Sequence, residues 1–173
     1  MEIWTDRLLL RPLCKKDLLT VHEYASDAEN TRYMMFLPKS RMEETADFLS
    51  TVEKEWRRRH PSFFEFAIVM DGRQIGAVSV YLDEKENQGE IGWIVNKKYW
   101  RCGYASEAAM AVLNFAKNQL RLDSVIARCD KRNIPSARVM EKIGMRRVDV
   151  RGTRTYPKSK ETAEELTYMI EFR

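Results

Sequence analysis

The sequence predicts a mixed α/β fold: a central, twisted, mostly antiparallel sheet of about seven strands with helices on both faces, in the order β-α-α-β-β-β-α-β-α-β-β. Three observations carry that expectation. Residues 63–95 alternate β-rich runs with turn residues and read as a three-stranded meander. Residues 90–130 place a helical pattern between two such runs, a βαβ unit whose strands pair in parallel through a right-handed crossover. Two further helical patterns precede the meander, so antiparallel strands and one βαβ unit share a sheet that helices cover.

The elements follow in order. "RLLLRPL" (7–13) reads as a first strand, with Leu8 and Leu10 on one face and Leu9 and Leu13 on the other. Residues 15–26 read as a helix whose apolar stripe is Leu18, Leu19, His22 and Tyr24. A loop through Asn30 and Pro38 leads to a second helix over 42–59, with Thr45, Phe48, Val52 and Trp56 near helical spacing, stopped at His60-Pro61. "FFEFAIVM" (63–70), the turn Asp71-Gly72 and "RQIGAVSVYL" (73–82) form the clearest hairpin. A second turn over 83–89 leads into "EIGWIV" (90–95). Then come a helix over 104–118, a strand over 124–130, a helix over 135–143, and strands near 145–151 and 165–172. In the helix over 104–118, Ala105, Ala108, Val112, Phe115 and Ala116 share one face, and Ser106, Glu107, Asn114 and Lys117 the other. Residues 151–162 read as a mobile polar hairpin tip. Trp4, Trp56 and Trp93 are expected in the core or an interface.

Composition bounds the function. The 173 residues suit one domain, 1–173, with no repeat or Gly/Ser linker. Hydrophobic residues make up 44% and charged residues 32%, a globular profile with no apolar run long enough for a bilayer. Glu2 and the lack of a small-residue cleavage site argue against a signal peptide, which leaves a cytoplasmic protein as the expectation. Cys14, Cys102 and Cys129 are odd in number and far apart, and His22 and His60 are the two histidines, so neither disulfides nor a metal site is expected. The net charge of +4 is spread along the chain and, without interleaved aromatic and basic strands, does not point to nucleic acid.

The chemistry concentrates at two strand-to-helix junctions. In "YWRCGYASEA" (99–108) a glycine stands just before a helix start, where first-turn N–H groups lack partners and the helix dipole is positive. Gly103 lets the backbone turn and approach an anion, Ala105 keeps the approach narrow, and Arg101 adds charge. No Gly-Lys-Ser/Thr follows and no three spaced glycines occur, which excludes a Walker loop and a dinucleotide fingerprint. In "NIPSARVMEKIGM" (133–145), Asn133 stands at the next junction, where its amide can meet a ligand's amides; alternatively Asn133 or Ser136 caps the helix.

The blocks 89–116 and 128–147 resemble the two signature blocks of the GCN5-related N-acetyltransferases, and "TDRLLLRPLCKKDL" (5–18) resembles the start of the subgroup that holds ribosomal-protein N-terminal acetyltransferases. The resemblance covers most of the chain and implies acetyl transfer from acetyl-CoA to a primary amine, direct and without a metal. The acceptor is a protein N-terminus or a small amine, and a homodimer is allowed for. It implies that the amides of Arg101, Cys102, Gly103, Tyr104, Ala105 and Ser106 cradle the pyrophosphate. It also implies that the main chain of Ile94, Val95 and Asn96 pairs with the pantetheine arm, and that Asn133, with Ser136, contacts it. Glu90 is the candidate base or water-holder, because a protonated amine must lose a proton before it attacks. Met140 stands where many relatives carry the tyrosine that serves as general acid, which leaves Ser136, Tyr168 or solvent for that role. The missing tyrosine also keeps alive a second reading, a coenzyme A-binding sensor or scaffold with little activity.

Overall fold

The computed structural model describes every residue except Glu84, Glu86 and Arg173, and for residues 149–151 the backbone alone. Its strands are β1 (Ile3–Trp4), β2 (Leu9–Pro12), β3 (Phe63–Met70), β4 (Arg73–Asp83), β5 (Gln88–Val95), β6 (Ser124–Asp130), β7 (Arg146–Thr155) and β8 (Thr162–Glu171). Its helices are α1 (Leu18–Ala25), α2 (Met42–Trp56), α3 (Tyr104–Asn118) and α4 (Ile134–Lys142). The strands form one sheet in the order β1-β2-β3-β4-β5-β6-β8-β7, antiparallel at every pairing except β5 with β6. The mixed, mostly antiparallel sheet is the expected one, with eight strands instead of about seven. The additional strand is β1, whose two residues are too few to show a pattern in sequence.

Two cores sandwich the sheet. On one face Phe64, Phe66, Val78, Val80, Ile91, Val125 and Ala127 pack against Ala108, Val112 and Phe115 of α3 and Met140 of α4. On the other face Leu13, Ala67, Val69 and Ala77 pack against Val21, Tyr24 and Ala25 of α1 and Leu49 and Val52 of α2. The period of two along each strand sorts these side chains, so Glu65, Ala67 and Val69 share the α1/α2 face while Phe64, Phe66 and Ile68 share the other.

Several local expectations need correction. Residues 15–17 form a turn of 3-10 helix, and α1 buries Val21, Tyr24 and Ala25 while Leu19 is exposed. α2 ends at Trp56, with Arg57 to Arg59 beyond it. Leu8 and Leu10 do share one face of the sheet, and Leu9 and Leu13 the other, as expected. Ser106, expected on the open side of α3, is buried at its start, and Trp4 is 71% exposed on the sheet's outermost strand. Of the turn expected over 83–89, Glu84 and Glu86 lie outside the described residues. The hairpin tip is shorter than expected and tied down: Tyr156 donates to Asp130 (2.7 Å), Arg132 to Glu161 (2.7 Å), and Lys158 to the Pro38 carbonyl.

Two tests follow from this packing. A Cβ at Gly76 would stand 2.4 Å from the Ile94 carbonyl oxygen, a backbone atom that cannot swing away. Gly76→Ala is expected to force β4 and β5 apart and lower stability by about 1–3 kcal/mol, read as a drop in Tm. Burial pushes the Glu65 carboxyl from 4.5 up to about 8, so the folded protein holds a proton that the unfolded chain has already released. Stability from this group is therefore greatest below about pH 4.5, declines between there and about 8, and is flat above. Thermal melts of Glu65→Gln across that range are expected to lack this decline, so the variant gains on the parent as pH rises.

Candidate active site

β5 is paired with β4 along all eight of its residues, and β6 with β8 along all seven of its own. Between β5 and β6 only Gln88, Gly89 and Glu90 meet Ser124, Val125 and Ile126. Beyond Glu90 the strands part, each held by its own half of the sheet, and a fork opens toward the start of α3. Asn96 N–H donates to the Ile75 carbonyl (2.8 Å), so by strand alternation the main-chain groups of Ile94 face β4 and those of Trp93 and Val95 face the fork. The Val95 carbonyl is already taken, by the Asn30 amide (3.0 Å) and the Trp100 indole (2.8 Å). The Asn96 carbonyl accepts from Tyr99 N–H, and its side chain from Lys98 N–H. The expected trio of Ile94, Val95 and Asn96 thus reduces to Val95 N–H, and Trp93 joins it. Sequence alone does not fix which parity of a strand faces an opening.

The loop that follows is built as an anion cup. Arg101 (φ 63°) and Gly103 (φ 82°) both take the left-handed conformation, with Cys102 between them. For arginine that is uncommon and held by its surroundings. Alternation of this kind turns successive N–H groups toward one concavity. Among the described residues no acceptor meets the N–H groups of Arg101, Cys102, Gly103, Tyr104, Ala105 or Ser106, and the first helical bond runs from Glu107 N–H to the Gly103 carbonyl. A Cβ on Gly103 would project into the concavity, 3.4 Å from Arg7 Nη2 and 3.8 Å from Lys142 Nζ.

Those two cations were not singled out in sequence, since Arg7 lies 96 residues upstream and Lys142 at the far end of α4. Arg7 donates to the Cys102 carbonyl (3.0 Å) and to Glu107 Oε2 (2.8 Å), and its guanidinium lies 4.7 Å from the Tyr104 ring centre. Thr5 Oγ1 also donates to Glu107 (2.6 Å). Burial works to raise the Glu107 carboxyl, but the bonds from Thr5 and Arg7 outweigh it and hold it below the ordinary carboxylate value. The one carboxylate in the first turn of α3 is thereby neutralised, and Lys142 leaves the cup net positive.

At the second junction Asn133 Oδ1 accepts from Ser136 N–H (3.3 Å) and caps α4, which leaves its Nδ2 to donate elsewhere. Met140 is core, 1% exposed. Tyr168, one of the substitutes considered for the missing tyrosine, is buried on the α3/α4 face and gives its hydroxyl proton to Glu141 (3.1 Å). It is not aimed at the fork. Ser136 is half-buried in the first turn of α4.

Glu90 sits at the root of the fork, in the last parallel pair, on the α1/α2 face. Arg128 of β6 reaches across to it at 2.5 Å and lies 3.8 Å from Glu165, which pairs with the buried Arg154 at 3.0 Å. Arg154 also reaches the Tyr33 carbonyl of the α1–α2 connection (3.4 Å). A chain of alternating charges therefore walls one side of this face. A carboxylate fixed by a guanidinium is well placed to hold an ammonium or a water.

Comparison with known proteins matches this geometry. The family model for the acetyltransferase (GNAT) domain matches residues 7–146. The chain is 37% identical over 172 residues to YnaD of Bacillus subtilis, an uncharacterized N-acetyltransferase, covering 98% of this chain and 96% of the relative. It superposes on the crystal structure of a GNAT-family acetyltransferase from Bacillus anthracis with a TM-score of 0.83 and 36% identity, covering 99% and 98% of the two chains. The ribosomal L7/L12 α-N-protein acetyltransferase RimL, solved in complex with coenzyme A, shares the fold at a TM-score of 0.83 and 14% identity, over 99% and 98%. With its fork, its anion cup and these likenesses together, the chain belongs to the GNAT family of acyl-CoA-dependent N-acetyltransferases.

Proposed function

We propose that this protein transfers an acetyl group from acetyl-CoA directly to a primary amine bound on the α1/α2 face of the fork. The observation that carries the reading is the Gly103 cup. It offers unpartnered N–H groups, two left-handed residues, and a cradle that a Cβ would fill beside Arg7 and Lys142. Those features fit a diphosphate. The N–H groups of residues 101–106 would hold it, Lys142 would offset its charge while Arg7 keeps Glu107 neutralised, and Trp93 and Val95 would meet the pantetheine arm along β5. Asn133 Nδ2 would contact that arm from the other side. Bound there, acetyl-CoA supplies an acyl group activated as a thioester.

The protein's own part is placement and proton removal. Holding the two reactants at the fork replaces a bimolecular encounter by an oriented one. Val95 N–H, facing the fork, can donate to a carbonyl oxygen that gains charge. An amine arriving as an ammonium must give up a proton, and Glu90 is the carboxylate nearest the fork's root. Its bond to Arg128 fixes the carboxylate in position to hold an ammonium, or a water that takes its proton. The sensor reading draws support from Met140 alone, and the open fork beside a carboxylate favours a transferase. The subgroup likeness to ribosomal-protein acetyltransferases rests on fold neighbours 14% and 18% identical and on a relative 27% identical over 56% of this chain, which bring no acceptor to it.

Gly103→Ala places a methyl in the cup and a side chain on a left-handed backbone; calorimetry is expected to show coenzyme A affinity down by about tenfold or more. Unchanged affinity would remove the loop from the assignment. Glu90→Gln is expected to lower kcat by at least about tenfold in a thiol-release assay while the Kd for coenzyme A stays as it was. A parent-like pH–rate profile in that variant would take Glu90 out of the proton path.

A further inference from the structure

The α1/α2 face carries a carboxyl that nothing above explains. Glu65 is 7% exposed, and among the described residues its carboxyl is seen in no hydrogen bond or ion pair, so that burial alone acts on it. The other buried carboxylates are all provided for. Asp17 meets Arg11 at 2.6 Å, Glu55 meets Ser62 Oγ at 2.7 Å and Arg58 at 3.3 Å, and Asp130 meets Arg132 and Tyr156, each at 2.7 Å. Arg11, on the adjacent strand β2, is engaged by Asp17, and Arg128, at the fork, by Glu90. An unpaired buried carboxyl costs stability wherever it stands. Here it stands in a row of strand positions that leads to the fork.

Strand register draws that route. Glu65 on β3 lies opposite Ser79 on β4, and Ser79 opposite Gly92 on β5, in a row that ends at the fork. Gly92 raises no side chain over the sheet, and the position its Cβ would take is 3.4 Å from Ser79 Oγ. The adjacent row is Phe63, Tyr81 and Glu90, with the Phe63 and Tyr81 rings stacked 5.0 Å apart. Burial, then Glu65 and then Glu90 raise the Tyr81 hydroxyl above its ordinary value, which places that ring between the two carboxylates. An aromatic surface with one acid at its end and another beside it suits two cations.

We propose that Glu65 is the counter-ion for a second ammonium on the acceptor, and that the acceptor is a linear aliphatic diamine whose other nitrogen enters the fork. This rests on the transferase reading above and names the substrate class of that site. β3 and β5 are two strand spacings apart, so the two nitrogens lie on the order of 10 Å apart less one ion-pair contact, roughly 6–9 Å, the span of four to six methylenes. A single row of strand positions suits a slim chain and not a folded polypeptide end. With burial raising it to about 8, the carboxyl carries a proton at neutral pH until a cation arrives. Binding of the diamine then releases that proton to solvent and forms the ion pair.

The test compares initial rates at saturating acetyl-CoA for 1,4-diaminobutane and 1,5-diaminopentane against n-butylamine and n-pentylamine, with thermal shifts by the same amines without acetyl-CoA. The parent protein is expected to favour the diamines by at least about tenfold in kcat/KM. Glu65→Gln is expected to bring that ratio to within about twofold, through KM and not kcat, and Glu65→Asp to keep part of the preference. Equal use of diamines and monoamines by the parent, or an equal loss on both in Glu65→Gln, would overturn the proposal and leave the transferase reading standing. If no amine is acetylated, a Tm rise with diamines in the parent that Glu65→Gln lacks would keep the site and sink the transferase reading. Neither turnover nor shift would overturn both.

Discussion

The parting of β5 from β6 after a three-residue parallel pairing is the constraint on which the rest of the molecule depends. Parallel neighbours in a sheet ordinarily run on together, because each unpaired N–H and C=O is a loss. Here each strand is fully paired on its outer side, and the twist of the two half-sheets carries them apart. The protein manages the exposed edge with local groups. Asn30 donates to the Val95 carbonyl and accepts from Lys97 N–H at 2.6 Å, and Trp100 adds a second bond to the same carbonyl. The α1–α2 connection is thus fastened to the tip of β5, and the fork is braced open from the side an acceptor would enter.

The two faces of the fork are chemically unlike. On the α3/α4 face the helix start, the left-handed turn and Lys142 build positive potential, and Arg7 cancels the one carboxylate in the way. On the α1/α2 face the run Glu90, Arg128, Glu165, Arg154 alternates in sign and ties four separate strands to the α1–α2 connection. Isolated surface ion pairs contribute little to stability. This run gains more from Arg154, which is buried and would be left uncompensated without Glu165. Asp130, held well below the carboxylate range by hydrogen bonds from Arg132, anchors the β7–β8 tip through Tyr156. A positive grip on one side and fixed, mostly paired charge on the other give a site that takes an anion and a cation from opposite faces.

Much of this was legible in the sequence where local chemistry decides. The Asp71-Gly72 turn, both strands of its hairpin, α3 and β6 fall within a residue of the pattern, because turn residues and period-two or 3.6 spacing act over a few positions. The Gly103 loop was legible because a left-handed turn before a helix needs a residue without a Cβ. What sequence left dark is set by distant pairing. Arg7 and Lys142 reach the cup from opposite ends of the chain, and neither has a neighbour in sequence to mark it. Ile94 and Trp93 exchanged roles because strand parity depends on register with β4. Glu65 looked like one polar residue in an apolar run, "FFEFAIVM", and its isolation shows only when every nearby cation is seen to be engaged elsewhere.

The buried Met140 bears on where the chemistry is difficult. A thiol ionises near pH 8.5, so a departing thiolate needs far less protonation than an alkoxide or amide anion would. An aliphatic ammonium, ionising near 10.4, holds its proton at neutral pH and cannot attack until it is removed. The step in need of help is therefore on the acceptor side. Filling the usual acid position with a core methionine, and turning Tyr168 toward Glu141 on the far face, gives up assistance where little is needed. The carboxylates of the two adjacent rows, Glu65 and Glu90, stand where the demand is greatest, and drawing the amine in beside them both concentrates it and sets its reacting nitrogen at the root of the fork.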